Sequence, residues 1–289
     1  MEVLVVGNTA YVDDDFCVKA FPGDHVKVVA AQEARRDESS PHASWKELLQ
    51  HLDQAYEFDR VVYLSNYLTP HTDTVGDIEL LRSVFRTCAG RRVQLLYVAG
   101  PAGAEGAADA VGRTGKGIIA HAANDLCRYY AAREGVQAKI LRAPFLYTAS
   151  AALEDPFLAP LFDACSTGSV ALQGAEDAAL PLLCAEELAV LVRRIFDSWD
   201  ANLETLDVAD SFNHTAGDIG EALKALFPGL SVAYGESAGY ALPANDTVRV
   251  RYGWFQRYDL LRDLSTIQAR WDAGRAKKVN PLRAAIDRI

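Results

Sequence analysis

Residues 3–16 read VLVVGNTAYVDDDF. Val3–Val6 is an unbroken apolar run, the pattern of a strand covered on both faces. Gly7 follows, where the chain can turn tightly. Three aspartates, Asp13, Asp14 and Asp15, then stand at the start of a helix. A helix N-terminus favours anions, and a carboxylate there is worth about 0.3–1 kcal/mol, so Asp13 or Asp14 can cap it. The unit is strand, turn, helix, and the alternation continues beyond it.

Further strands are expected at His25–Ala30, Arg60–Ser65, Arg92–Ala99 and Ala138–Arg142. Helices are expected at Ser44–Gln54, where Glu47 completes a capping box with Ser44, and at Asp77–Cys88 and Ile118–Arg133. Strand–helix alternation implies a parallel sheet with right-handed crossovers. After Pro144 the pattern loosens. Helices are expected at Ala151–Phe162 and Ala185–Ser198, with short strands near Val170–Leu172 and Thr205–Val208. The tail AKKVNPLRAAIDRI reads as a basic patch followed by a helix start without a cap, as in a segment of a longer chain.

The fold class expected is α/β, a Rossmann-type doubly wound parallel sheet with a smaller C-terminal lobe. Residues 1–147 form the core, and residues 148–289 form the lobe, interleaved with the last core elements. Half of the 289 residues are apolar, which suffices for a sizeable core, and the net charge is −10. That charge argues against nucleic acid or an anionic membrane surface as partner. Five scattered cysteines without a C-x-x-C pair suggest reduced, mostly buried thiols in a cytoplasmic protein. No stretch is long and apolar enough to span a bilayer. The six histidines show no metal-ligand spacing, so no metal is expected. GRTGKG (112–117) lacks the complete P-loop pattern, and no G-x-S-x-G elbow occurs.

Five segments, in order, resemble the extended short-chain dehydrogenase/reductase family, the NAD-dependent epimerases and dehydratases of nucleotide sugars. FDRVVYLS is similar to that family's fourth strand, and GDIELLRSVFRTCAGRRVQLLYVAG to its long helix and next strand. NDLCRYYAAREGVQAKILRAPFLY resembles the helix after the active site and the L-R-x-P-x-x-Y segment that follows. LLCAEELAVLVRRIF resembles the helix that closes the core. YGWFQRYDLLRDLSTIQARW resembles a terminal G-W-x-P segment, with Gln256 at the proline position.

The resemblance implies an NAD or NADP site, a nucleotide-type or other small-molecule ligand, and a G-x-x-G-x-x-G phosphate turn. Here those glycine positions hold Gly7, Ala10 and Asp13. A carboxylate about 5 Å from a phosphate charge costs roughly 3 kcal/mol at an effective dielectric of about 20. Asp13 therefore either caps the helix in place of the phosphate or belongs to a rebuilt turn. The ribose position falls on Gln32, beside Glu33, and Ser65 ends the neighbouring strand. The family's catalytic hydroxyl position falls on Gly100, its Tyr on Lys116 and its Lys on Ala120. No tyrosine lies between Tyr97 and Tyr129, and no Y-x-x-x-K occurs anywhere. The cofactor site is then either lost with the chemistry or retained with a relocated acid/base, with Lys116 and His121 as candidates. Arg142 and Pro144 fall at the substrate pocket, Arg142 being equally readable as half of a structural ion pair. The resemblance also implies a homodimer through helices 77–88 and 118–133. The expected function is that of a catalytically degenerate relative, using the fold for ligand binding, regulation or interaction. The alternative is an active NAD(P)-dependent epimerase/dehydratase or reductase.

Overall fold

The computed structural model describes residues 1–30, 57–65, 75–101, 115–150, 155–200, 203–236 and 246–286, with backbone alone at 30, 75–77, 115–121 and 277–286. The strands are β1 (Glu2–Gly7), β2 (His25–Ala30), β3 (Arg60–Leu64), β4 (Gln94–Ala99), β5 (Gln137–Arg142), β6 (Phe145–Tyr147), β7 (Ser169–Leu172), β8 (Leu182–Cys184), β9 (Glu204–Asp207) and β10 (Ser231–Tyr234). The α-helices are α1 (Asp14–Ala20), α2 (Val75–Cys88), α3 (Gly115–Arg133), α4 (Leu158–Ser166), α5 (Ala185–Asp197), α6 (Ala216–Leu226), α7 (Thr247–Tyr252) and α8 (Leu260–Ile286).

Six strands form one parallel sheet in the order β2-β1-β3-β4-β5-β9. Their apolar runs are explained by burial on both faces. Val3, Val5, Leu64, Leu96, Val98 and Leu141 face α1 and α5, where Phe16, Leu188, Val192 and Ile195 meet them. The alternate residues Leu4, Val6, Tyr63, Leu95, Tyr97 and Ile140 face α2 and α3 and pack on Leu81, Phe85, Cys127 and Tyr130. Each such apolar side chain contributes about 1.5–3 kcal/mol relative to exposure.

A third cluster fills the lobe. Phe145 and Tyr147 of β6 and Leu182 of β8 pack with Leu158 and Phe162 of α4, Ile219 and Leu223 of α6, and Leu264, Ile267 and Trp271 of α8. The second half of the chain also returns to the core, since β9 extends the main sheet and α5 covers it.

Two expectations are corrected. The helix expected at 151–162 is α4, which begins only at Leu158 and runs to Ser166. Asp155 and Pro156 stop it from starting earlier, because the Asp155 carboxylate accepts the amides of Phe157 (2.8 Å) and Leu158 (2.6 Å). No new helix starts in the tail: residues 276–286 continue α8, a helix of 27 residues from Leu260 to Ile286. Leu260, Leu264, Ile267 and Trp271 form the buried stripe that anchors its first half. The helix expected at Ser44–Gln54 lies outside the described residues.

Candidate functional site

The sequence-predicted positions that are described line up at the carboxyl ends of neighbouring strands. Gly7 ends β1, Ser65 follows β3, Gly100 follows β4 and Arg142 ends β5. Strand order reverses at β1, which has β2 on one side and β3 on the other, so this rim is where an open α/β sheet binds ligands. Gly7 is dictated by close approach. Its φ is +108°, and a Cβ there would lie 2.2 Å from the Leu64 carbonyl oxygen. The neighbouring Asn8 amide donates to that same oxygen at 2.8 Å. Ser65 is fully buried, and its amide donates to Val98 at 2.9 Å.

Beyond Gly7 the chain makes a 3-10 turn, Thr9–Tyr11, which contains Ala10, and enters α1. Asp13 is the N-cap: its Oδ1 accepts the Phe16 amide at 2.7 Å. A phosphate held by this turn would compete with that carboxylate for the same amide, against the repulsion of like charges. Asp14 and Asp15 follow in the first turn, and Lys19 pairs with Asp15 one turn on. The other Asp13 oxygen lies 3.4 Å from the Ser150 hydroxyl, which donates to Glu186 at 2.9 Å. The turn is thus linked to the loop after β6 and to the start of α5. Tyr11 points inward, 1% exposed, and its hydroxyl has no partner among the described residues. Burial, with Asp155 nearby, pushes that phenol well above its ordinary range.

Asp155 is a hub that the sequence reading did not single out. It is 1% exposed and accepts hydrogen bonds from the Thr148 amide (2.5 Å) and hydroxyl (3.1 Å), besides the amides of Phe157 and Leu158. Burial outweighs these donors and pushes its carboxyl up to about 6. The Asp-Pro pair was the available signal for a turn here.

Arg142 forms a bidentate pair with Asp207 of β9, Nε to Oδ1 at 2.5 Å and Nη2 to Oδ2 at 2.8 Å. The guanidinium therefore ties two adjacent strands. Pro144 is buried between β5 and β6. Lys116 and Ala120 fall in the first two turns of α3, with His121 next to Ala120. Their side chains, like Gln32 and Glu33, lie outside the described residues.

Two buried polar residues tie α5 and β8 to the segment that precedes α8. Glu187 accepts the amides of Arg257 (2.7 Å) and Tyr258 (3.1 Å). Gln256 donates to the carbonyls of Leu182 (2.7 Å) and Tyr258 (3.2 Å) and accepts the Ser211 amide at 3.2 Å. A proline at position 256 could supply none of these side-chain bonds.

Solved structures share this architecture along nearly the whole chain. The dTDP-glucose 4,6-dehydratase DesIV from Streptomyces venezuelae, solved with NAD and TYD bound, superposes with a TM-score of 0.69 at 13% identity, covering 94% of this chain and 96% of that one. UDP-glucose 4-epimerase from Thermotoga maritima, solved with UDP-glucose, gives 0.66 at 12% identity, over 96% and 100%. UDP-N-acetylglucosamine 4-epimerase from Bacillus cereus gives 0.64 at 13%, over 92% and 95%. The fold is that of the NAD-dependent epimerases and dehydratases. No protein-family model and no curated protein matches the sequence.

Proposed function

We propose that this chain is a catalytically degenerate relative of the NAD-dependent nucleotide-sugar epimerases and dehydratases, using the inherited fold for ligand binding, regulation or interaction. The observation that carries this reading is Asp13. At the third glycine position of the phosphate turn, its carboxylate already holds the α1 amide that an incoming pyrophosphate would need. The sequence supports the same reading, since no Y-x-x-x-K exists and Gly100 occupies the hydroxyl position. Neither a phenolate for proton transfer nor its lysine partner is then supplied in the family's way.

Calorimetric titration of nucleotide-stripped protein with NAD⁺, NADH, NADP⁺ and NADPH tests the proposal. No binding is expected up to roughly millimolar concentration. Micromolar binding of any of the four would sink it and return a working oxidoreductase to the front. The Asp13→Gly variant removes one negative charge from the turn. It is expected to bind dinucleotide up to about a hundredfold more tightly than wild type. The same reading assigns α2 and α3 to a homodimer contact. Phe85 and Tyr130 stack between these helices with centroids 4.9 Å apart, and the adjacent Tyr129 is 54% exposed.

A further inference from the structure

Residues 252–258 run as a strap along the outside of α5. Arg194 of α5 holds one end, donating to the carbonyls of Tyr252 (3.0 Å) and Gly253 (3.3 Å). Glu187, two turns earlier in α5, holds the other end through the amides of Arg257 and Tyr258. Trp254 and Gln256 are buried while Phe255 and Arg257 are exposed, the two-residue alternation of an extended chain. Between the two clamps, the main-chain groups of Trp254, Phe255 and Gln256 make no hydrogen bond among the described residues. An extended segment with main-chain donors and acceptors to spare has the chemistry of a sheet edge.

The outer surface here is apolar and basic. Phe255 is 46% exposed and Tyr258 50%, and the Arg257 guanidinium lies over the Phe255 ring at 5.2 Å. Val190, also exposed, stands between Glu187 and Arg194 on the same face of α5. Residues 247–258 hold three arginines and no carboxylate, in a chain of net charge −10. The carboxylates around them are engaged. Asp197 pairs with Arg193, Asp246 caps α7, and Asp259 bonds His214. Arg251 takes Asp200 and Glu204. Glu187 feels the Arg257 charge, but it is buried beneath the strap with its oxygens on the two amides. Arg194 and Arg257, one near each end of the strap, are left without an ion pair among the described residues.

We propose that the strap and the outer face of α5 dock an acidic, extended segment of a partner protein. The segment lies beside residues 254–256 and pairs with their main chain, as a strand adds to a sheet edge. Its carboxylates reach Arg194 and Arg257, and an apolar side chain between them rests on Phe255 and Val190. Charge complementarity selects the partner: a basic segment is repelled by the two unmatched guanidiniums, and a neutral one leaves them unpaired. Helix α5 covers the sheet face opposite α2 and α3, so the site is clear of the proposed homodimer contact. Its test does not depend on whether the rim binds a dinucleotide.

Fluorescence anisotropy of the full chain with a labelled octapeptide alternating Glu and Val provides the test. The comparison probes are the same peptide with Lys in place of Glu, and a short single-stranded oligo(dT). At about 0.1 M salt the Glu peptide is expected to bind with a Kd of roughly 10–100 μM, weakening as salt rises. Arg257→Gln and Phe255→Ser alter exposed side chains, and each should weaken binding about fivefold or more. In the complex, amide hydrogen exchange at Phe255 and Gln256 is expected to slow, which separates strand addition from loose charge attraction. No binding of the Glu peptide up to about 1 mM would overturn the proposal. So would equal binding of the Lys peptide, tighter binding of oligo(dT), affinity unaltered in both variants, or no added protection at those two amides.

Discussion

Asp155 shows how one buried residue couples the fold to pH. Its carboxyl rises from an ordinary 3.8 to about 6 because burial outweighs its hydrogen bonds. Between those values the native state holds the proton more often than the unfolded chain does. Stability from this group is therefore present at low pH and lost as pH rises through about 6, by roughly 3 kcal/mol in all. Urea unfolding of wild type and Asp155→Asn at pH 4 to 7 reads this directly. The wild type should lose about 3 kcal/mol relative to the variant across that range. A constant difference would show that Asp155 does not titrate there. Asp13 teaches a different lesson at the same scale. Its capping role was legible in the sequence, because a carboxylate before a helix has few other uses. Its reach to Ser150 was not, since 137 residues separate the two.

Strand β5 carries a lysine where its pattern calls for an apolar residue. Lys139 is fully buried on the face that β5 shares with α5, beside Leu141. Its Nζ lies 2.8 Å from Glu204 of β9, 3.4 Å from Asp200 and 3.3 Å from the Tyr252 hydroxyl of α7, with the Trp199 ring 5.2 Å away. Burial alone would lower its pKa, but Glu204 and Tyr252 hold it above its ordinary value. Arg251 pairs with the same two carboxylates from outside. Lys139→Ala should cost about 3 kcal/mol by chemical denaturation, because it opens a cavity and strips the inner partner from Glu204. Arg251→Ala, at a third exposed, should cost about 1 kcal/mol or less. Equal losses would mean that the inner lysine is no more important than the outer arginine. The sequence reading took AKILR as a strand, and so it is, but the partners of Lys139 come from β9 and α7, more than 60 residues away.

At the scale of the whole molecule, the core buries both faces of its sheet, and the lobe is built around α8. The proposed homodimer belongs here. Sedimentation at micromolar concentration is expected to give twice the 31.5 kDa chain mass, and Tyr129→Asp, which puts a charge on the α3 face, to reduce it to one chain. A wild-type monomer would remove the dimer. The order of elements was readable because each strand and helix writes its own period into the chain. The meeting of Lys19, Ser150 and Glu186 with the α8 face of Asp263, Thr266 and Arg270 around one cavity was not, because those segments are far apart in the chain.

The sequence by itself determined the α/β class, the five core strands between β1 and β5, and the carboxylate at the phosphate turn. These follow from local hydrophobic period, backbone freedom and capping, all of which act within a few residues. Only the tertiary structure decided that β9 joins the main sheet, that Arg142 is engaged with Asp207, and that Asp155, Lys139 and Gln256 serve as internal anchors. Burial and pairing are properties of neighbours in space, and a buried polar group is stable only where distant segments bring it a partner.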